Sequence, residues 1–134
     1  MIKESDIKVG DSHEEVIVDD LSRTQIVMYA GASGDYNPLH TDDKFTTEVA
    51  GYPSVFAHGM LTMGMSGRVV TDWVGLDALK SYGVRFSKQV FPGATLTTKV
   101  TVTSIADGIA EFDVTTTNQD GDAVVVGYAT AQLS

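Results

Sequence analysis

Residues 33–40, SGDYNPLH, set an aspartate and a histidine five positions apart among a glycine, an asparagine and a proline. A carboxylate and an imidazole are among the side chains that proteins use most to take and give protons near neutral pH. On one uninterrupted helix, five positions turn Asp35 and His40 about 140° apart. They meet only if a helix ends between them, and Gly34 and Pro38 provide that break. Asp35 then leaves a helix end, His40 returns from a turn, and both can address one water molecule. By residue type alone, the stretch is equally a polar turn with a solvated acid.

A second segment, AHGMLTMGMSG at residues 57–67, opens an apolar helix with a His-Gly pair. The first N–H groups of a helix lack intrahelical partners and attract negative charge. Gly59 has no side chain in the way, so a carbonyl oxygen could dock there as charge builds on it. Asn37 is either a further donor or a brace for its own loop. His58 either touches substrate or sits as a satisfied histidine at the helix start. Carboxylate, imidazole and oxyanion site together suit reversible proton transfer beside a carbonyl.

The elements that must position these groups are legible as periodicities. EEVIV (14–18) reads as an opening strand. Ser22 with Gln25 has capping-box spacing, and the helix that follows turns Ile26, Val27, Tyr29 and Ala30 inward until Gly31, Ser33 and Gly34 stop it. Thr41 or Asp42 caps a short helix through about Val49, ended by Gly51. Residues 57–74 are apolar on nearly all sides, as a core helix is, with the methionines at 60, 63 and 65 as core filling. From residue 82 to 133 the period becomes two, with turns at FPGA (91–94), Asp107-Gly108 and NQDGD (118–122). One buried helix followed by an antiparallel meander predicts an α+β domain in which the sheet curls around the helix. Such a sheet leaves an edge that a second copy would cover.

Length and composition bound the rest. At 134 residues, 43% of them apolar, the chain is one domain with a real core. Nine basic against eighteen acidic residues exclude the basic footprint that nucleic acid needs. Arg85 and Lys88 are left as either phosphate contacts or a solvated strand face. There is no cysteine, and the first ten residues lack the apolar core of a signal peptide, so a cytoplasmic protein is expected. Residues 55–75 are broken by His58, Arg68 and Asp72, so no membrane span is expected. His40, Asp42 and Asp43 match no common metal spacing and lack the EF-hand glycine. The glycines at 59 and 64 precede no Lys-Ser/Thr, so they form no phosphate loop.

SGDYNPLH resembles the G-D-x-N-P-h-H signature of the MaoC-like (R)-specific enoyl hydratases and dehydratases. AHGMLTMG resembles the His-Gly segment that follows it there, and VRF (84–86) and VFPGATL (90–96) are similar to the next strand and turn. The likeness spans about residues 7–133, and in pattern it looks closest to the catalytic subunits of bacterial (3R)-hydroxyacyl-ACP dehydratases. The resemblance implies a hot-dog fold: an antiparallel sheet wrapped around a long central helix at 57–74, with 20–57 as a helical insertion and 82–133 as the strand meander, in one domain over 1–134. It implies catalysis by Asp35 and His40, an oxyanion contact at the Gly59 N–H, and a structural role for Asn37 and Pro38. The implied reaction is reversible hydration of trans-2-enoyl thioesters, of CoA or acyl carrier protein, to (3R)-3-hydroxyacyl thioesters, without cofactor or metal. Homodimers, or heterodimers with a second hot-dog subunit, are implied partners. The sequence departs from some relatives in one place. They carry a serine eight residues after the glycine, where it supports the aspartate; here that position is Gly67, with Ser66 beside it. Two rivals remain. Hot-dog thioesterases often carry a carboxylate on the central helix, and residues 59–71 hold none. A non-catalytic partner subunit would be expected to lack the Asp/His dyad.

Overall fold

The computed structural model describes residues 1–134. Its main elements run in the order β1 (Ser12–Val18), α1 (Arg23–Ser33), α2 (Pro38–Thr41), α3 (Asp43–Glu48), α4 (Gly59–Val74), β2 (Leu79–Phe86), β3 (Leu96–Ala106), β4 (Ile109–Thr117) and β5 (Ala123–Gln132). The strands form a single antiparallel sheet in the order β1-β3-β4-β5-β2. It is the α+β sheet-on-helix arrangement that the alternation of residues 82–133 predicts and the hot-dog fold that the resemblance implies, with one difference: only β3, β4 and β5 form a meander, and β2 lies beside β5 at the far edge of the sheet. Asp107 and Gly108 both take positive φ, 54° and 75°, as a two-residue turn matched to strand twist requires. On β4, Ala110, Phe112, Val114 and Thr116 face α4 with at most 1% exposure.

Two expectations change. Val27 points outward at 55% exposure, because α1 buries only the narrow stripe of Ile26 and Ala30. The central helix is not apolar on all sides. Leu61, Ser66, Val69, Val70 and Val74 are buried, whereas Met60, Gly64, Arg68 and Asp72 form an exposed row at four-residue spacing. Arg68 and Asp72 lie 3.8 Å apart along it. The charged pair marks the open face, which the neighbouring methionines disguise in sequence.

One rung crosses all five strands. Phe86 of β2 opposes Val125 of β5, then come Thr116 of β4, Thr98 of β3 and Glu15 of β1. Directly opposed residues of antiparallel strands share a face, so these side chains lie together under α4. Their centre is polar. Ser66 of α4 lies 2.6 Å from Thr116, Thr116 lies 2.6 Å from Thr98, and the Thr98 hydroxyl donates to Ser66 at 3.3 Å. All three residues are fully buried. Each hydroxyl has partners within the set, which is what lets a polar group survive in a core.

Gly67 permits a close approach by β2. A Cβ there would come 2.8 Å from the Tyr82 ring. The Tyr82 hydroxyl donates to the Met63 carbonyl at 2.8 Å, so the ring has little room to yield. Burial pushes the Tyr82 pKa up to about 12. Overpacking costs about 1–3 kcal/mol, against a helix-propensity gain for alanine over glycine of about 1 kcal/mol. Gly67→Ala is therefore expected to lose up to about 2 kcal/mol of stability in urea unfolding, and adding Tyr82→Leu is expected to recover part of it. A Gly67→Ala midpoint at or above that of the unmodified chain would show that the ring is not fixed.

Candidate active site

The stretch 33–40 folds as a ladder of short polar turns. The Asp35 N–H donates to Ser33 Oγ at 3.2 Å, the Asn37 N–H to Asp35 Oδ1 at 3.3 Å, and the Leu39 N–H to Asn37 Oδ1 at 3.0 Å. Such i to i+2 bonds are the turn chemistry of Ser, Asp and Asn. Gly34 ends α1 at φ 76°, and Pro38 starts α2 at a position whose N–H would be idle anyway. Asn37 is spent as the cap of α2, so the structure uses it as a brace.

His40 is aimed by a backbone carbonyl. Its Nδ1 lies 2.7 Å from the Phe56 oxygen. A carbonyl only accepts, so Nδ1 carries the proton and the neutral ring keeps its lone pair on Nε2. His58 is placed by the same logic. Its Nε2–H donates to the Asp35 backbone oxygen at 3.0 Å, and Nδ1 is buried without a partner. The residue is 2% exposed, stacks on His40 with ring centroids 3.8 Å apart, and meets the edge of Tyr29 at 4.8 Å. His58 therefore braces both candidate residues, the Asp35 backbone through its nitrogen and the His40 ring through its face.

A carboxylate oxygen of Asp35 and one ring nitrogen each of His40 and His58 lie within 4.8 Å of one another. Two groups that share one water stand up to about 5.6 Å apart, twice a normal hydrogen-bond length. Asp35 and His40 are close enough for that.

Gly59 is the first residue of α4, where the N–H groups are free. A Cβ at Gly59 would come within 2.9 Å of the Phe86 ring, which lies across the helix start. Beside it opens a cavity of about 210 Å³, lined in part by Phe56, Ala57, Thr62, Phe86, Val90 and Val125. Phe56 thus serves both regions, its carbonyl holding His40 and its side of the chain walling the cavity. Lys88 is already paired with Asp122 at 2.6 Å, an attraction that raises the lysine pKa and lowers that of the aspartate.

The serine position of some relatives is occupied by Gly67, and Ser66 faces the core hydroxyls, so neither touches Asp35. The N–H of Asn37 bonds the Asp35 carboxylate, and His58 holds the Asp35 backbone oxygen.

The amino-acid pattern of the MaoC-like domain matches residues 6–123. The chain belongs to the MaoC-like family. It is 36% identical over 114 residues to 3-hydroxyacyl-thioester dehydratase Y of Mycobacterium tuberculosis, a match covering 83% of this chain and 39% of that protein. In fold it is similar to the (R)-hydratase from A. caviae, with TM-score 0.84, 25% identity, and coverage of 96% of this chain and 98% of that one. It is also similar to a chain of the ChsH1–ChsH2 complex of Mycobacterium tuberculosis, with TM-score 0.78, 25% identity, and coverage of 95% and 98%. The MaoC-like chain spans less than two fifths of the length of the curated relatives it matches first.

The sequence reading missed Asp43. Its Oδ1 accepts from the Val55 N–H at 3.0 Å and its Oδ2 from Arg23 at 2.6 Å, tying α1 and α3 to the loop that delivers Phe56. The Val55 amide first and Arg23 second hold the Asp43 carboxyl below its usual range. A carboxyl with a lowered folded pKa contributes stability above its ordinary value of 3.8 and loses it as pH falls through the lower folded value. Asp43→Ala is expected to melt below wild type near neutral pH, with the gap closing in acid only below that ordinary value. Asp43→Asn, which keeps an acceptor for Val55, is expected to fall between the two. Identical melting of all three proteins at neutral pH would show the tie to be idle.

Proposed function

We propose that this MaoC-like chain is a hydro-lyase that adds water reversibly to trans-2-enoyl thioesters, giving (3R)-3-hydroxyacyl thioesters, in fatty-acid metabolism. The observation that carries this reading is the approach of Asp35 and His40, within sharing distance of one water, next to the bare helix start at Gly59. Its likeness to a 3-hydroxyacyl-thioester dehydratase and to an (R)-hydratase supports it.

In this scheme the thioester oxygen accepts from the Gly59 N–H, which draws electron density from the double bond. The water donates one hydrogen bond to the Asp35 carboxylate and one to His40 Nε2. As its oxygen bonds to carbon 3, the proton facing His40 passes to Nε2, and the imidazolium then delivers it to carbon 2. One proton moves and returns, so the ring ends as it began. Asp35 orients the water and stabilises the transient cation. The Phe56 carbonyl, by holding the proton on Nδ1, favours the ring as acceptor. Dehydration is the same path reversed. A second subunit of this fold is proposed to cover the β2 edge and the outer face beside it, where Val126 and Tyr128 of the neighbouring β5 are 43% and 53% exposed.

Loss of conjugated-thioester absorbance tests the reading. Asp35→Asn and His40→Ala are each expected to lower kcat by about 10²- to 10⁴-fold with the fold retained. His58→Phe keeps a stacked ring and drops the bond to Asp35, so a smaller fall in kcat is expected, with KM little changed. Wild-type rates in Asp35→Asn or His40→Ala would rule the scheme out. Release of free thiol without loss of the double bond would favour the thioesterase instead.

A further inference from the structure

Two walls of the cavity beside Gly59 run toward the buried hydroxyl ring. These walls are Thr62 and Val125. Ser66 follows Thr62 by one turn on the buried face of α4, and Thr116 is the direct partner of Val125 across β4 and β5. Both walls therefore lead to the same point, where Ser66 and Thr116 meet at 2.6 Å and close a ring with Thr98. Thr62 itself brings a buried, unpartnered hydroxyl to the wall. Phe56, Phe86, Val90 and Val125 line the approach with apolar surface. A hydrocarbon chain fits the approach but not the ring, because going further would part hydroxyls that have no other partners.

We infer that this hydroxyl ring sets the depth of the acyl site, and that the protein acts on short- and medium-chain 2-enoyl thioesters. The inference rests on the hydratase reading above. An apolar cavity of about 150 Å³ holds benzene, with six carbons. The cavity beside Gly59, at about 210 Å³, holds about eight on the same scale. Val125 stands between the cavity and Thr116, so trimming it lengthens the approach to the ring.

The test is a chain-length series of 2-enoyl-CoA substrates with the whole protein. The expected kcat/KM is similar at four and eight carbons and falls by about a hundredfold or more at sixteen, as an overfilled pocket produces. Undiminished turnover at sixteen carbons overturns the inference and leaves the hydratase reading standing. Calorimetry with saturated acyl-CoA of the same lengths reads the cavity without the reaction. Binding that weakens by about a hundredfold between eight and sixteen carbons supports the inference even if no turnover is found, and flat or rising affinity overturns it. Val125→Ala is expected to raise kcat/KM for a twelve-carbon substrate by about tenfold relative to four carbons. An unchanged length profile in that variant would place the chain elsewhere and overturn the inference.

Discussion

The hydrogen bond from His40 Nδ1 to the Phe56 carbonyl is the contact on which the site depends. It fixes which nitrogen of the ring is free, and it is made to backbone, so no side-chain rotamer has to be held for it. What must be held is the backbone of residues 55–57. Three bonds do so from three directions: the Val55 N–H to Asp43, the Phe56 N–H to the Leu39 carbonyl at 3.2 Å, and the Ala57 N–H to the Val90 carbonyl at 2.8 Å. The inserted helices, the loop and the segment after β2 thus converge on three successive peptide units. Helices α2 and α3 have four and six residues, too short to persist alone. Their stability comes from these ties, and the ties in turn place the acid and the ring.

His58 adds a different kind of constraint. It is the residue just before α4, so its backbone is fixed by the most deeply packed helix of the fold. Its side chain extends that rigidity outward, bonding to Asp35 and lying flat on His40. The exposed part of the dyad is therefore braced from beneath. Asp35 is open to solvent and His40 only half-buried, which suits groups that must exchange water and admit a thioester.

The sheet, its turns and the long helix are visible in the sequence because each follows from periodicity or from a turn residue. Residues 110–116 alternate cleanly, and Asp107-Gly108 marks its hairpin. The dyad is visible because two reactive residue types sit in a motif with a glycine and a proline to break the helix. What stayed hidden is carried by atoms that every residue has, or by spatial neighbours far apart in the chain. The Phe56 carbonyl leaves no mark in residue type. Asp43 reads as one more surface acid beside Asp42. The hydroxyls of Ser66, Thr98 and Thr116 come from three elements, and each alone looks like an ordinary polar position on a strand or helix. Val27 misled because a β-branched apolar residue at helical spacing carries no sign of how narrow the buried stripe is.

The ring of Ser66, Thr98 and Thr116 has a mechanical meaning as well as a chemical one. A helix lying on a sheet of valines could ride along its own axis with little change in apolar contact. A slip of one turn, about 5.4 Å, would carry Ser66 away and bring Val70 or Thr62 against the two strand hydroxyls. Val70 offers nothing to bond, so a slip in that direction costs both threonines their bonds to Ser66 and leaves only the one between them. The ring thus acts as a detent that indexes α4 along the sheet, and by setting that index it keeps the first turn of the helix, and Gly59 with it, seated beneath the Phe86 ring.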